Sequence, residues 1–328
     1  MEISTALRKR FCKDCGVHID IFQEPYFSDR IKLFDKFYGT IMKWNRFVEE
    51  LENYDCEQDY FEEYNHVKEA AITSIKTSEA YQRFNSEDIG RFAITHRDFP
   101  TSDIFKPTND GRIFISIDMK KANFSSLRSY DADIFGGAVT WSGFISHFTN
   151  NGHIRNSKYI RQVILGTCNP RKHITYEKWI MDQTLTKLEL EYGRDLSERI
   201  VFFSNDEIVY DVTGFGMKLA GDLRDTLLFY LNTHSTVPFR VELFKLHKIN
   251  GTNGYCKEVK KYSNGIKKDD EVRFDFKCLD SFVMPFVLRK FLGEEVTEND
   301  KVFYHNGLLA KFIEVPEIEV DFYEKIEN

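Results

Sequence analysis

Two stretches decide the fold: IFISIDMKKANFSSLR, residues 113 to 128, and VFFSNDEIVYDV, residues 201 to 212. In the first, Ile113, Ile115 and Ile117 alternate with other residue types, the period of a strand with one buried face. Thr108-Asn-Asp-Gly111 comes just before it, and Asp-Gly supplies the positive φ angles of a tight turn, so a strand over Arg112 to Asp118 is predicted. The second stretch holds two apolar runs, Ile200 to Phe203 and Ile208 to Val212, around a polar turn, which predicts a hairpin. Helical patterns near Trp141 to Phe148, Asn156 to Leu165 and Thr175 to Tyr192 lie between the two stretches. A helix over Met217 to Leu231, with Leu219, Leu223, Leu227 and Tyr230 on one side, and an alternating strand over Phe239 to Leu246 follow. The order βαββαβ is the split-βαβ, ferredoxin-like pattern, whose third strand lies antiparallel beside the first. Asp118 would then end next to the turn holding Asp206 and Glu207.

Outward from this core, residues 1 to 100 read as mostly helical. A short strand-like run over Val17 to Phe22 precedes a helix capped by Ser28, with Phe34, Phe37, Ile41, Trp44, Val48 and Leu51 on one face, and a second helix over Gln58 to Phe84. Beyond the core, Tyr255 to Tyr262, Val272 to Cys278 and the runs around Phe303 and Phe312 read as strands around a helix at Ser281 to Leu292. The expected organisation is an α+β protein: a helical region over 1–100, a core over 101–250 and a small β-rich subdomain over 251–328.

The 328 residues carry 45 basic and 52 acidic side chains, and the charge is unevenly placed. Eight acids and no base fall between Glu49 and Glu63, whereas Gly111 to His173 holds nine bases against Asp118, Asp131 and Asp133. Val241 to Lys268 holds seven lysines against two glutamates. Basic blocks in a mildly acidic chain point to a localised polyanion site. With 42% apolar residues the composition excludes disordered and fibrous classes, and the longest apolar stretch, Phe282 to Leu288, excludes a membrane span. No signal peptide is visible and six irregularly spaced cysteines read as reduced thiols, so a cytoplasmic protein is expected. Cys12-Lys-Asp-Cys15 with His18 offers three zinc ligands, one short of a structural site.

An acid at a strand end and an acidic pair on the neighbouring hairpin suit divalent cations with hard oxygen ligands, such as Mg²⁺ or Mn²⁺. Two such ions assist phosphoryl transfer when carboxylates hold them close together. Asp118, Asp206 and Glu207 are the candidate catalytic and metal-ligating residues.

Ile117-Asp-Met-Lys-Lys-Ala122 resembles motif A of right-hand palm polymerases, especially reverse transcriptases, and Ser204-Asn-Asp-Glu207 resembles their motif C. The same hairpin is similar to the palm of the tRNA-His guanylyltransferases. The resemblance implies a palm-type nucleotidyltransferase that adds nucleotides from NTP or dNTP to a nucleic acid with two Mg²⁺ or Mn²⁺ ions, with Asp118 and Asp206 as ligands and the backbone after Asp118, with Lys120 and Lys121, near the triphosphate. Where reverse transcriptases place a bulky aromatic that excludes the ribose 2′-hydroxyl, this chain has Asn123, with Phe124 next. Either Asn123 admits ribonucleotides or Phe124 takes over the gating. Position and chemistry add Lys158, Arg161, Asn169 and Arg171 as phosphate or nucleotide contacts. Lys245, Lys248, Lys257, Lys260 and Lys261 are candidates for a nucleic-acid backbone, either a primer–template or an RNA end. The alternative is a palm-like protein that binds nucleic acid or nucleotide without chemistry.

Overall fold

The computed structural model describes residues 3–260 and 272–320. It is an α+β protein built on one antiparallel sheet of six strands in the order β2-β3-β1-β4-β5-β6. β1 is Ile113–Met119, β2 Ile200–Phe203, β3 Glu207–Asp211, β4 Phe239–Lys248, β5 Tyr255–Lys260 and β6 Val272–Lys277. The first four strands have the split-βαβ order, with β1 between β3 and β4. The register aligns Asp118 with Glu207 on one side and with Arg240 on the other, so the three residues form one row across three strands.

The alternation read in β1 divides the sheet into two faces. Ile115, Ile117 and Met119 join Ile208, Tyr210, Val241 and Leu243 in the main core. Phe114, on the opposite face, packs with Val209, Phe244, Leu246, Tyr255 and Val259 in a smaller cluster covered by Ile104. Ser116 and Asp118 share that second face, so it is apolar at one end of β1 and ionisable at the other.

The long crossover between β1 and β2 contains α6 (Ala122–Tyr130), α7 (Trp141–Ile145), α8 (Gly152–Asn156), α9 (Lys158–Gly166), α10 (Pro170–Tyr192) and α11 (Arg194–Ser197). The second crossover, α12 (Gly216–His234), packs on β4 and β1, and α10 packs on α6.

The N-terminal region is helical: α1 Thr5–Cys15, α2 Tyr26–Tyr38, α3 Thr40–Leu51, α4 Glu57–Thr77 and α5 Glu79–Ser86. Val17 to Phe22, expected as strand-like, belongs to no strand; the Ile19 N–H folds back on the Val17 carbonyl at 3.0 Å. The helix expected from Ser28 to Leu51 starts earlier, after Pro25, and breaks at Gly39, whose φ of +58 reverses the chain. The Asp35 carboxylate then accepts from the Ile41 N–H at 2.7 Å and starts α3. A second expected helix breaks at Ser78, whose hydroxyl caps α5 by accepting from the Tyr81 N–H.

The tail differs from a separate β-rich piece. β5 and β6 extend the central sheet, and α13 (Met284–Leu292) packs against α2. Among the described residues, only β7 (Val302–His305) and β8 (Leu308–Lys311) form a sheet apart from the central one. The main core runs from Leu7 to Val320 through all three expected segments. Among the described residues no helix is long and apolar enough to cross a membrane, and all six cysteines are free thiols.

A candidate nucleotide site at the end of the first strand

The end of β1 is fixed from both sides. The Met119 N–H donates to the Asp206 carbonyl, and the Lys120 N–H donates to the Pro238 carbonyl, each at 2.9 Å. Lys121 then adopts a left-handed conformation, φ +50, and α6 begins at once. A non-glycine residue held in that region at such a junction is a strained backbone position of the kind that collects at functional sites. α6 has no side-chain cap; the Phe124 N–H donates to the Lys121 carbonyl at 2.9 Å, which leaves the Ala122 and Asn123 N–H groups for another acceptor.

Those groups open onto a cavity of about 830 Å³ lined by α6, α9, α10, the β1 end and the β2–β3 turn. Lys120, Lys121, Asn123, Lys158 and Arg161 line it, and so do Asp118 and Asp206. Burial pulls the Arg161 guanidinium below its ordinary value, and its Nε is buried without a hydrogen-bond partner among the described residues. Burial lowers Lys121 as well, and the nearby Arg161 charge adds to this. Cations that repel one another beside an uncapped helix N-terminus form an anion site.

The acids face this group. Burial raises the Asp118 carboxyl to about 6; Arg240 opposes the shift, while Glu207, Asp206 and Glu242 add to it. Asp118 Oδ2 lies 3.0 Å from Arg240 Nη2. Asp206 accepts from the Ser204 hydroxyl at 3.1 Å, and Glu207 accepts from the Ser116 hydroxyl on the sheet face, outside the cavity wall. Among the described residues, no three His, Cys, Asp or Glu side chains form a group able to hold a metal ion. The donor set still fits Mg²⁺, which is usually held by one or two carboxylates together with substrate phosphates and water. Asp118 and Asp206 provide two hard oxygen donors whose charges disfavour one another, a tension that a cation relieves.

Several sequence-derived candidates fall elsewhere. Phe124 is only 4% exposed and packs on Phe135 at 4.7 Å and on Trp141, so the choice between the two neighbours resolves to Asn123 as the one facing the cavity. Asn169 caps α10 and donates to Asn85, while Arg171 is exposed on the same helix; neither lines the cavity. Asp131 caps the turn after α6 and pairs with Arg83. The Lys248 ammonium donates to the Thr252 and Gly254 carbonyls of its own loop. Lys257 is buried against Glu242 and the Phe244 ring, and Lys260 pairs with Glu258. Lys245 is half-buried on β4, and Lys261 lies outside the described residues.

The cavity also holds residues that the sequence did not single out. Glu177 on α10, 4% exposed, accepts from the Asn205 side chain at 2.8 Å. Burial raises its carboxyl to about 7, and Asp206 adds to the shift. His173, one turn earlier, is lowered by burial to about 4 and is therefore neutral; its Nε2 lies 3.1 Å from the Tyr81 hydroxyl. Arg240 completes the wall. The His173/Glu177 spacing of four marks one helix face, but only the packing of α10 separates that pair from the other polar residues along the helix.

The chain matches no protein-family model, no curated protein and no solved structure.

Proposed function

We propose that the protein is a metal-dependent nucleotidyltransferase that binds a nucleoside triphosphate in this cavity and adds the nucleotide to a nucleic-acid chain. One observation carries the reading: Arg161 and Lys121, which have no acid partner among the described residues, and the start of α6, which has no side-chain cap, share a cavity with Asp118 and Asp206. Such a site places phosphates beside carboxylates, an arrangement that is costly unless divalent cations come with the substrate.

The α6 N–H groups and the Lys121 and Arg161 side chains hold the polyphosphate. Asp118 and Asp206 would ligate two Mg²⁺ or Mn²⁺ ions, which when bound supply Lewis acidity at the attacking 3′-hydroxyl and neutralise the leaving pyrophosphate. Asn123 offers a donor and an acceptor where an aromatic ring would exclude a 2′-hydroxyl, which favours ribonucleotides. The acceptor is an RNA end or a primer on a template.

The test is incorporation of labelled NTPs and dNTPs, with Mg²⁺ or Mn²⁺ and with primed and unprimed nucleic acids, by wild type and Asp118→Ala. The expected result is wild-type incorporation reduced at least 10³-fold by the substitution, in line with loss of a group that stabilises transition-state charge. Equal rates overturn the catalytic assignment. Triphosphate binding without turnover under every condition assigns a palm-like nucleotide-binding protein instead.

A further inference from the structure

Asp118 already has a cation in contact, and that cation has a second partner waiting. Arg240 Nη2 lies 3.0 Å from Asp118 Oδ2, and Arg240 Nε lies 3.5 Å from Glu242 Oε1. Glu242, two residues along β4, is 8% exposed at its side chain and is held by Arg273 at 2.6 Å and Lys257 at 3.4 Å. Three cations therefore surround Glu242, and its neutralisation does not depend on Arg240 alone. The Arg240 side chain is 49% exposed and lines the cavity, so it has room to turn while its backbone stays in register opposite Asp118.

We propose that Arg240 is a positioning residue that exchanges partners when substrate enters: its guanidinium leaves Asp118, keeps its contact with Glu242 and turns to the incoming phosphates. This rests on the nucleotidyl-transfer reading. A divalent ion and a guanidinium compete for the same carboxylate oxygen, so an ion arriving alone must displace Arg240 into water. An ion arriving with a polyphosphate gives the displaced guanidinium an anion to hold, and its planar fork suits phosphate oxygens. The two ligands then bind better together than apart, a reciprocal coupling between neighbouring sites.

The experiment measures Mn²⁺ binding and inorganic tripolyphosphate binding by isothermal titration calorimetry at pH 8, each alone and in the presence of the other. The proteins are wild type, Arg240→Gln, Arg240→Lys and Arg273→Gln, each checked for an unchanged circular dichroism spectrum. Arg240→Gln is expected to bind Mn²⁺ alone about tenfold more tightly than wild type, to bind tripolyphosphate about tenfold more weakly, and to lose most of the mutual enhancement. Arg240→Lys restores part of the enhancement, and Arg273→Gln behaves as wild type. Wild-type binding of both ligands with unchanged affinities in Arg240→Gln overturns the role of Arg240 while leaving the site reading intact. Binding of neither ligand by wild type overturns both.

Discussion

Asn205, in the β2–β3 turn, donates its side-chain amide to the Glu177 carboxyl on α10 at 2.8 Å, latching the acidic hairpin to the helix beneath the cavity. Burial keeps Glu177 protonated up to about pH 7 in the folded protein, against an ordinary value of 4.5. The folded state therefore holds a proton that the unfolded chain gives up, and stability falls as pH rises from about 4.5 to 7. A shift of this size corresponds to as much as ~3 kcal/mol. Glu177→Gln removes that dependence, so the wild-type melting temperature should fall more between pH 5 and pH 8 than the variant's. Parallel curves would refute this.

Asp118 carries the same sign of shift, to about 6, and its ionised form is the one a divalent ion binds. Mn²⁺ affinity should weaken below pH 6, approaching about tenfold per pH unit once the carboxyl is protonated. Asp118→Asn should bind Mn²⁺ weakly and with a flatter pH profile, which a titration at pH 5, 6, 7 and 8 checks.

Arg161→Ala removes a cation that has no acid partner among the described residues. Folding should be unharmed or slightly improved, since a half-buried charge without an acid partner is costly. Triphosphate affinity should drop by roughly 10- to 100-fold, the value of a charge-assisted contact of about 1.5–3 kcal/mol. A fluorescent nucleotide titration beside a thermal melt separates the two effects.

Asn123 and Phe124 make opposite predictions. Asn123→Phe should reduce use of ribonucleotides relative to deoxyribonucleotides with little change in stability, read as the ratio of the two kcat/KM values. Phe124→Ala should cost about 3–5 kcal/mol through the cavity left between Phe135 and Trp141, without changing sugar choice in the fraction that folds.

Much of the sheet was legible because each strand carries its own signal. β1 alternates, β2 and β3 flank a Ser-Asn-Asp turn, and β4 alternates again; their boundaries agree with the expected ones within two residues. α1 is masked in the sequence by the ligand-like spacing of Cys12 and Cys15, which sit three apart on that helix, where burial raises Cys15 to about 11 and pushes Cys12 higher still. α6 was hidden inside a motif read for its chemistry, and no cap residue announces it, since Lys121 starts it in a left-handed conformation.

In the candidate site Asp118, Asp206, Lys120, Lys121, Lys158 and Arg161 were legible, whereas Glu177 and Arg240 were not and Glu207 lies outside the cavity wall. Asp118 and Asp206 share a cavity because strand register brings them there, which alternation and the hairpin turn imply. Which lysines face it depends on packing across distant segments. Lys257 reads as one more member of a basic run, yet it is 6% exposed and lies 4.0 Å from the centre of the Phe244 ring. Lys257→Ala should lower stability by about 1–3 kcal/mol through lost packing and a weakened pair with Glu242, with no specific change in the salt dependence of nucleic-acid binding. Chemical denaturation and a salt titration of binding would check the two parts.

The join between β4 and β5 sets how small the protein can be made. A chain cut after residue 250 would keep all four strands of the βαββαβ unit, yet it would bare the whole outer edge of β4 to solvent and to other copies of itself. It would also strip Glu242 of Lys257 and Arg273, leaving Arg240 as its remaining cation among the described residues while it also holds Asp118. The last two strands are thus part of the electrical insulation of the first four, and a shortened chain has to keep all six strands.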